Sequence, residues 1–332
     1  VAEGALVYGL GALKNVGVEA MGLITNGRGD RPFSTVFDFA RRVDLKRVGK
    51  RPLEMLARAG AFDEIDANRA RVLANLDGLV GYSAAIHEQR ASNQVSLFGE
   101  AGDDLPEPRM RELSDWLPAE RLAEEFKAIG FYLSGHPLDD YMPALRRKDV
   151  KTLAEIMDLT RGGPLVARMA GVVAGRQERK SAKGNRFAFI QLSDPTGQFE
   201  ATMFSDTLEA SRDHLETGNR ITVQVEATLE ADQLKLLARG VTPVDDVVEM
   251  GQGPMGLRVF VDQTEAVSSV ANLLERMKTE SKTKGRAPVH LCLMAPDLPG
   301  EVEVILPEPF PVSPQIKGAL KSLPGVSMVE EV

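Results

Sequence analysis

Apolar positions recur at helical spacing over residues 1–90. Leu53, Met55, Leu56 and Ala59 form one stripe and Val72, Leu73, Leu76, Leu79 and Val80 another, which predicts packed helices. Between 91 and 118 the pattern dissolves into Asn, Gly, Asp, Pro and Glu, with Pro106 and Pro108 close together, the composition of an exposed linker. Helical character resumes at Glu120–Lys127 and is expected to end near Ser134-Gly135-His136-Pro137, inside a helical connector spanning 119–160.

Residues 161–245 change to strand character. Arg186-Phe187-Ala188-Phe189-Ile190-Gln191-Leu192 and Arg220–Ala227 alternate with a period of two. Five strands, at 165–178, 186–194, 198–204, 220–229 and 233–239, with a helix at 205–215, follow the order of an OB-fold β-barrel. Pro195-Thr196-Gly197 supplies a turn, and Ser205 is expected to cap the helix. Residues 255–332 then read as a strand at 257–261, a helix at 264–279, strands at 288–294 and 301–306 and a helix at 313–322, a small α+β domain.

Two short glycine turns lie in the helical part. Lys14, Asn15, Val16 and Gly17 form a hydrophobic-x-Gly hairpin between short helices, the kind of turn that approaches a phosphate backbone. A degenerate second copy at Val43–Arg51 includes Lys46, Arg47, Gly49, Lys50 and Arg51; with Arg41 and Arg42 these cations face one acid, Asp44. Residues 1–90 are thus expected to be a tandem helix-hairpin-helix domain that reads no base. An ordinary αα-turn with a solvated charged face is the competing explanation.

In the barrel, Ala188, Ile190 and Leu192 make the better core set, leaving Phe187 and Phe189 on the surface that OB-folds use to stack bases. Arg176, Arg179, Lys180, Lys183 and Arg186 cluster in and beside the first hairpin loop against Glu178, a groove for a single strand. The competing reading puts the phenylalanines under a protein neighbour.

At the start of the linker, Gln94, Val95, Ser96, Leu97 and Phe98 form a short docking motif. Leu97 and Phe98 suit a shallow apolar cleft, and Gln94 orients its entry. Such a segment loses ordering entropy on binding, so it binds weakly alone and gains from tethering.

Composition narrows the function. A net charge of −8 confines any DNA contact to local patches, while 43% hydrophobic and 27% charged residues fit soluble globular modules. The single cysteine, Cys292, excludes a disulfide framework or a zinc ligand set and fits a cytoplasmic protein. No apolar run is long enough for a membrane span, and the start at Val1, without a basic region or initiator methionine, reads as a portion of a longer chain. Asp103-Asp104, Asp139-Asp140 and Asp245-Asp246 read as caps and solvated turns, His136 as a packing or capping residue; no catalytic residue, metal site or cofactor motif is expected.

The order of parts, with Phe37-Asp38-Phe39, Ala59-Gly60-Ala61-Phe62-Asp63, Gln94–Gly99 and Phe126–Pro137, resembles the C-terminal part of the bacterial replicative DNA polymerase III alpha family. The resemblance implies duplex DNA at the hairpins, the beta sliding clamp at Gln94–Phe98, single-stranded DNA at the OB barrel, the tau subunit at 255–332 and work at the replication fork. It also implies that the polymerase carboxylates and their Mg belong to the parent protein upstream of Val1. The alternative is an OB-fold RNA-binding protein similar to the anticodon-binding domains of tRNA synthetases.

Overall fold

Helix caps and a closed barrel organise a chain that divides into two units, Val1–Ser134 and Gly135–Val332. The computed structural model describes residues 8–91, 105–181, 184–231, 233–249, 256–280, 286–294, 300 and 302–332.

In the first unit a 3-10 turn at Leu10–Ala12 precedes α1 (Val18–Arg28), α2 (Val36–Arg42), α3 (Leu45–Val48), α4 (Lys50–Arg58), α5 (Arg69–Ala74), α6 (Leu76–Ala91) and α7 (Pro118–Ile129). Polar caps start several of them: Thr35 Oγ1 accepts from Asp38 N at 3.0 Å and Asn68 Oδ1 from Arg71 N at 2.9 Å. The apolar stripes converge on a core that includes Val16, Phe39, Leu45, Leu53, Leu56 and Leu76.

Two expectations for this region change. Helix α7 stops at Ile129, where Gly130 takes the left-handed C-cap at φ 99°, short of the Gly135-Pro137 stop. The expected linker 91–118 is also pinned in part. Asn68 Nδ2 donates to Leu113 O at 2.6 Å, Ala70 N to Asp115 Oδ1 at 3.1 Å and Arg111 N to Asn75 Oδ1 at 2.7 Å. The asparagines flanking α5 thereby satisfy a backbone that has no ladder of its own, and Asp115 in turn accepts from the first turn of α5.

The expected connector 119–160 is split, because charged side chains fasten α7 to the first unit. Arg69, 7% exposed, meets Asp63 at 2.7 Å and Glu125 at 3.6 Å, while Arg121 bridges Asp63 at 2.9 Å and Asp115 at 2.8 Å. Such buried ions are tolerated only when paired.

The second unit opens with a 3-10 turn at Asp139–Tyr141, α8 (Met142–Arg147), β1 (Val150–Lys151) and α9 (Leu153–Leu159). The barrel follows: β2 (Leu165–Lys180), β3 (Arg186–Asp194), β4 (Gly197–Phe204), α10 (Ser205–Ser211), β5 (Arg220–Glu230) and β6 (Gln233–Pro243), then α11 (Val244–Glu249). Strand order β2-β3-β4-β6-β5 with β5 pairing back to β2 closes the sheet, and β4 runs parallel to β6, the OB arrangement. Met169, Ile190, Leu192, Met203 and Val223 fill its interior. Ser205 is the first helical residue rather than the cap: Phe204 holds the cap position in extended geometry, and the serine hydroxyl reaches Asp206 instead. Asp194 organises the Pro195–Gly197 turn, its Oδ1 accepting from Thr196 N at 2.7 Å and Gly197 N at 3.0 Å.

The remainder is a small α+β layer: β7 (Leu257–Val261), α12 (Ala266–Glu280), β8 (Arg286–Ala287), β9 (Val289–Leu293), β10 (Val302–Ile305), β11 (Phe310–Pro311), α13 (Pro314–Lys321) and β12 (Val326–Glu331). Its main sheet is ordered β10-β9-β7-β12, with α12 crossing between the parallel pair β7 and β9. Strand β12 was not expected, because Val329 alone of its residues is buried and an edge strand shows no clean alternation.

Candidate nucleic-acid interface

In the first hairpin Lys14 N donates to Ala128 O at 2.9 Å and Lys14 Nζ lies 5.6 Å from the Phe126 ring centre, so the turn rests against α7. Val16 is buried and anchors the loop from below. Asn15, not Gly17, takes the left-handed conformation, at φ 62°. Gly17 caps α1 with no side-chain acceptor, and a Cβ there would meet nothing within 4 Å. The first amides of α1 thus have no side-chain cap at Gly17, and the fold itself makes no demand for glycine there.

The second hairpin differs. Gly49 lies at φ 91° between α3 and α4, a conformation that side chains avoid, and Gly49 N donates to Leu45 O at 3.0 Å. Its cations are unequal. Arg42 pairs with Asp38 at 3.1 Å, donates to the carbonyls of Arg31 and Arg28, and lies 4.8 Å from the Phe33 ring centre. Arg41 donates to Tyr82 Oη at 3.2 Å and Glu107 at 2.9 Å. Lys46 meets Glu88 at 3.5 Å and Lys50 meets Asp77 at 2.7 Å, both in exposed pairs of small worth. Arg47 and Arg51 are exposed and make no ion pair among the described residues.

On the barrel, β2 and β3 pair as far as Lys180 and Arg186, and β4 flanks β3 up to Phe204 opposite Phe187; this end of the sheet forms an arm. Burial along β3 alternates: Ala188, Ile190 and Leu192 face in, while Phe187 and Phe189 are half-exposed, their rings edge to face with centres 5.4 Å apart. Pairing places Arg179 opposite Phe187 and Gln177 opposite Phe189, so these share the phenylalanine face. The Arg179 guanidinium sits 5.3 Å from the Phe189 ring centre. The same face carries an aromatic the sequence reading missed: Phe204 pairs with Phe187 across β3 and β4 and is 53% exposed. Its signal was an aromatic closing a strand whose Phe199, Ala201 and Met203 alternate inward.

The expected single cation-lined groove is split between two faces by the strand period. Arg176, Glu178 and Lys180 pair with Ile190, Ala188 and Arg186, placing Arg176, Lys180 and Arg186 on the side away from the phenylalanines. Lys183 and the docking motif Gln94–Phe98 lie outside the described residues.

Other singled-out groups serve the fold. His136 is buried, its Nε2 3.1 Å from Ser193 Oγ and its Nδ1 3.2 Å from Leu138 N; burial holds its pKa below the usual range against the pull of Asp139 and Asp194. Asp139 accepts from His136 N at 2.6 Å. Asp245 is not a solvated turn residue: it is half-buried, accepts from Tyr141 Oη at 2.8 Å and lies 3.6 Å from Arg220. Burial, followed by the Asp245 contact, pushes the Tyr141 phenol well above its ordinary range. Among the described residues no group of three or more His, Cys, Asp or Glu could hold a metal ion, and no helix is long and apolar enough to cross a membrane.

Helical hairpins followed by an OB barrel define a class of multidomain nucleic-acid-binding chains. A family model described as a helix-hairpin-helix motif matches residues 1–72, and one described as an OB-fold nucleic acid binding domain matches 168–244. Along its whole length the chain is similar to DNA polymerase III subunit alpha. It is 37% identical over 333 residues to that of Caulobacter vibrioides, covering 100% of this chain and 28% of that protein. It is 30% identical over 312 residues to that of Rickettsia conorii, covering 92% and 26%. The chain is similar to the DNA polymerase III alpha subunits along its length and spans 28% and 26% of the length of these two. Among solved structures, a mitochondrial single-stranded DNA binding protein from S. cerevisiae aligns with 24% of this chain and 92% of its own, at 20% identity and TM-score 0.21. Asparaginyl-tRNA synthetase from Pyrococcus horikoshii aligns with 40% of this chain and 34% of its own, at 12% identity and TM-score 0.23. The polymerase similarity covers every module, so the synthetase-like alternative is not favoured.

Proposed function

We propose that the chain is the C-terminal, DNA-handling and partner-binding portion of a replicative DNA polymerase III alpha subunit. The observation that carries this reading is the 37% identity to such a subunit over the full chain, hairpins, linker, barrel and last domain together. In this reading the parent protein performs template-directed DNA synthesis with Mg, and this portion keeps it on its substrate at the replication fork.

The amides at the start of α1, with Lys14, Asn15, Val16 and Gly17, take a duplex phosphate, and Arg47 and Arg51 add charge at the second hairpin, supported by Lys46, Gly49 and Lys50. The arm of the barrel takes a single strand: bases stack on Phe187 and Phe204 and on the Arg179 guanidinium that covers Phe189. Gln94, Val95, Ser96, Leu97 and Phe98 hook the beta sliding clamp, and residues 255–332 receive the tau subunit. Each contact is small and local, which suits a chain of net charge −8 that must release DNA as it advances.

The test is affinity for purified beta clamp with and without Leu97→Ala plus Phe98→Ala. Truncating two apolar anchors is expected to cost at least about 2 kcal/mol, and unchanged affinity sinks the clamp assignment.

A further inference from the structure

The face of the barrel arm opposite the phenylalanines holds a second arrangement. Glu178 lies between two arginines: its Oε1 is 3.3 Å from Arg176 Nε and its Oε2 is 3.2 Å from Arg212 Nη2. Arg176 comes from β2 and Arg212 from the 3-10 turn at Arg212–His214 after α10, so the carboxylate gathers cations from two separate elements. None of the three is buried; their side chains are 29%, 30% and 41% exposed for Glu178, Arg176 and Arg212. Lys180 lies two residues further along the same face, and Arg186 is its partner across the ladder.

The geometry points to Glu178 as an internal competitor for a strand's phosphate, seated where Arg176 and Arg212 would otherwise grip the backbone. A guanidinium offers the same planar fork to a carboxylate as to a phosphodiester, so the two anions compete for one seat. For a strand whose bases lie on Phe187 and Phe204 to reach these cations, its backbone has to round the edge of the arm, past Lys180 and Arg186 and then to the Arg176–Arg212 seat. Glu178 offsets that last contact. The arm thus holds its strand through stacking, which tolerates every base, and weakens the ionic contact that would resist sliding.

This inference rests on the single-strand reading of the barrel, and its test separates the two. Binding of a fluorescent oligothymidine to the whole chain is titrated for wild type, Glu178→Gln, and Glu178→Gln combined with Arg176→Gln and Arg212→Gln, at several salt concentrations, with the melting temperature of each recorded. Glu178→Gln is expected to bind roughly three- to tenfold more tightly, the range two exposed ion pairs are worth. Its log affinity should fall more steeply with log salt by about 0.7, the increment for one more phosphate neutralised on a single strand. The triple variant is expected to return to wild-type affinity. Equal or weaker binding by Glu178→Gln at unchanged melting temperature overturns the inference, since the carboxylate would then be positioning the arginines. Failure of the wild type itself to bind overturns the single-strand reading, and the inference with it.

Discussion

Two stretches of this chain are dense in positive charge, 41–51 in the helical unit and 176–186 in the barrel arm, and the folded protein ties down the cations of each to different degrees. In the first, Arg42 is built into the structure through Asp38, two carbonyls and the Phe33 ring, and Arg41 through Tyr82 and Glu107. In the second, Lys180 and Arg186 make no ion pair among the described residues, and Arg179 lies on an aromatic ring at the surface. The difference teaches that charge density along a sequence does not mark a binding site. What matters is which acids, carbonyls and rings the fold brings within reach of each cation. A similar contrast separates the two Val-Gly turns: Gly49 is required by its own backbone, whereas Gly17 has ordinary backbone and open space where a side chain would sit.

The largest effect that would break this contrast lies at Arg42. Arg42→Ala strips partners from Asp38 and from carbonyls in the α1–α2 connection, so a urea midpoint should register a loss of about 2–4 kcal/mol. A silent substitution would mean that the arginine is available to ligand after all. Gly49→Ala should cost about 1–3 kcal/mol of stability through its strained backbone. Gly17→Ala should leave the melting temperature unchanged while weakening duplex binding; equal stability losses at the two glycines would erase the distinction. Smaller still, Arg47→Gln with Arg51→Gln should lower the salt slope of duplex binding by about 2, with no change in stability. An unaltered slope would remove the second hairpin from the interface.

Much of this was legible in the sequence, for reasons of period. The alternation in Arg186–Leu192 fixed which face of β3 is core, and the helical stripe through Leu53 and Leu56 is buried as its spacing requires. The misses are positions where distant partners decide. Nothing local in Leu105–Leu117 announces that Asn68 and Asn75 will hold its backbone, and nothing near Asp245 announces Tyr141 and Arg220. The split of the arm's cations between two faces was readable from the period of two, but clustering in sequence obscured it. Phe204 was readable from the same period, since Phe199, Ala201 and Met203 alternate inward and leave it outward, but its place beside Phe187 comes only from the pairing of β3 with β4.

The account turns on the aromatic face of the barrel arm, and single-strand affinity tests it most directly. Oligothymidine binding at fixed salt should weaken by about 1–3 kcal/mol for Phe187→Ala and by a similar amount for Phe204→Ala, with the barrel still folded. Unchanged affinity in both variants would contradict the account and assign that face to a protein neighbour.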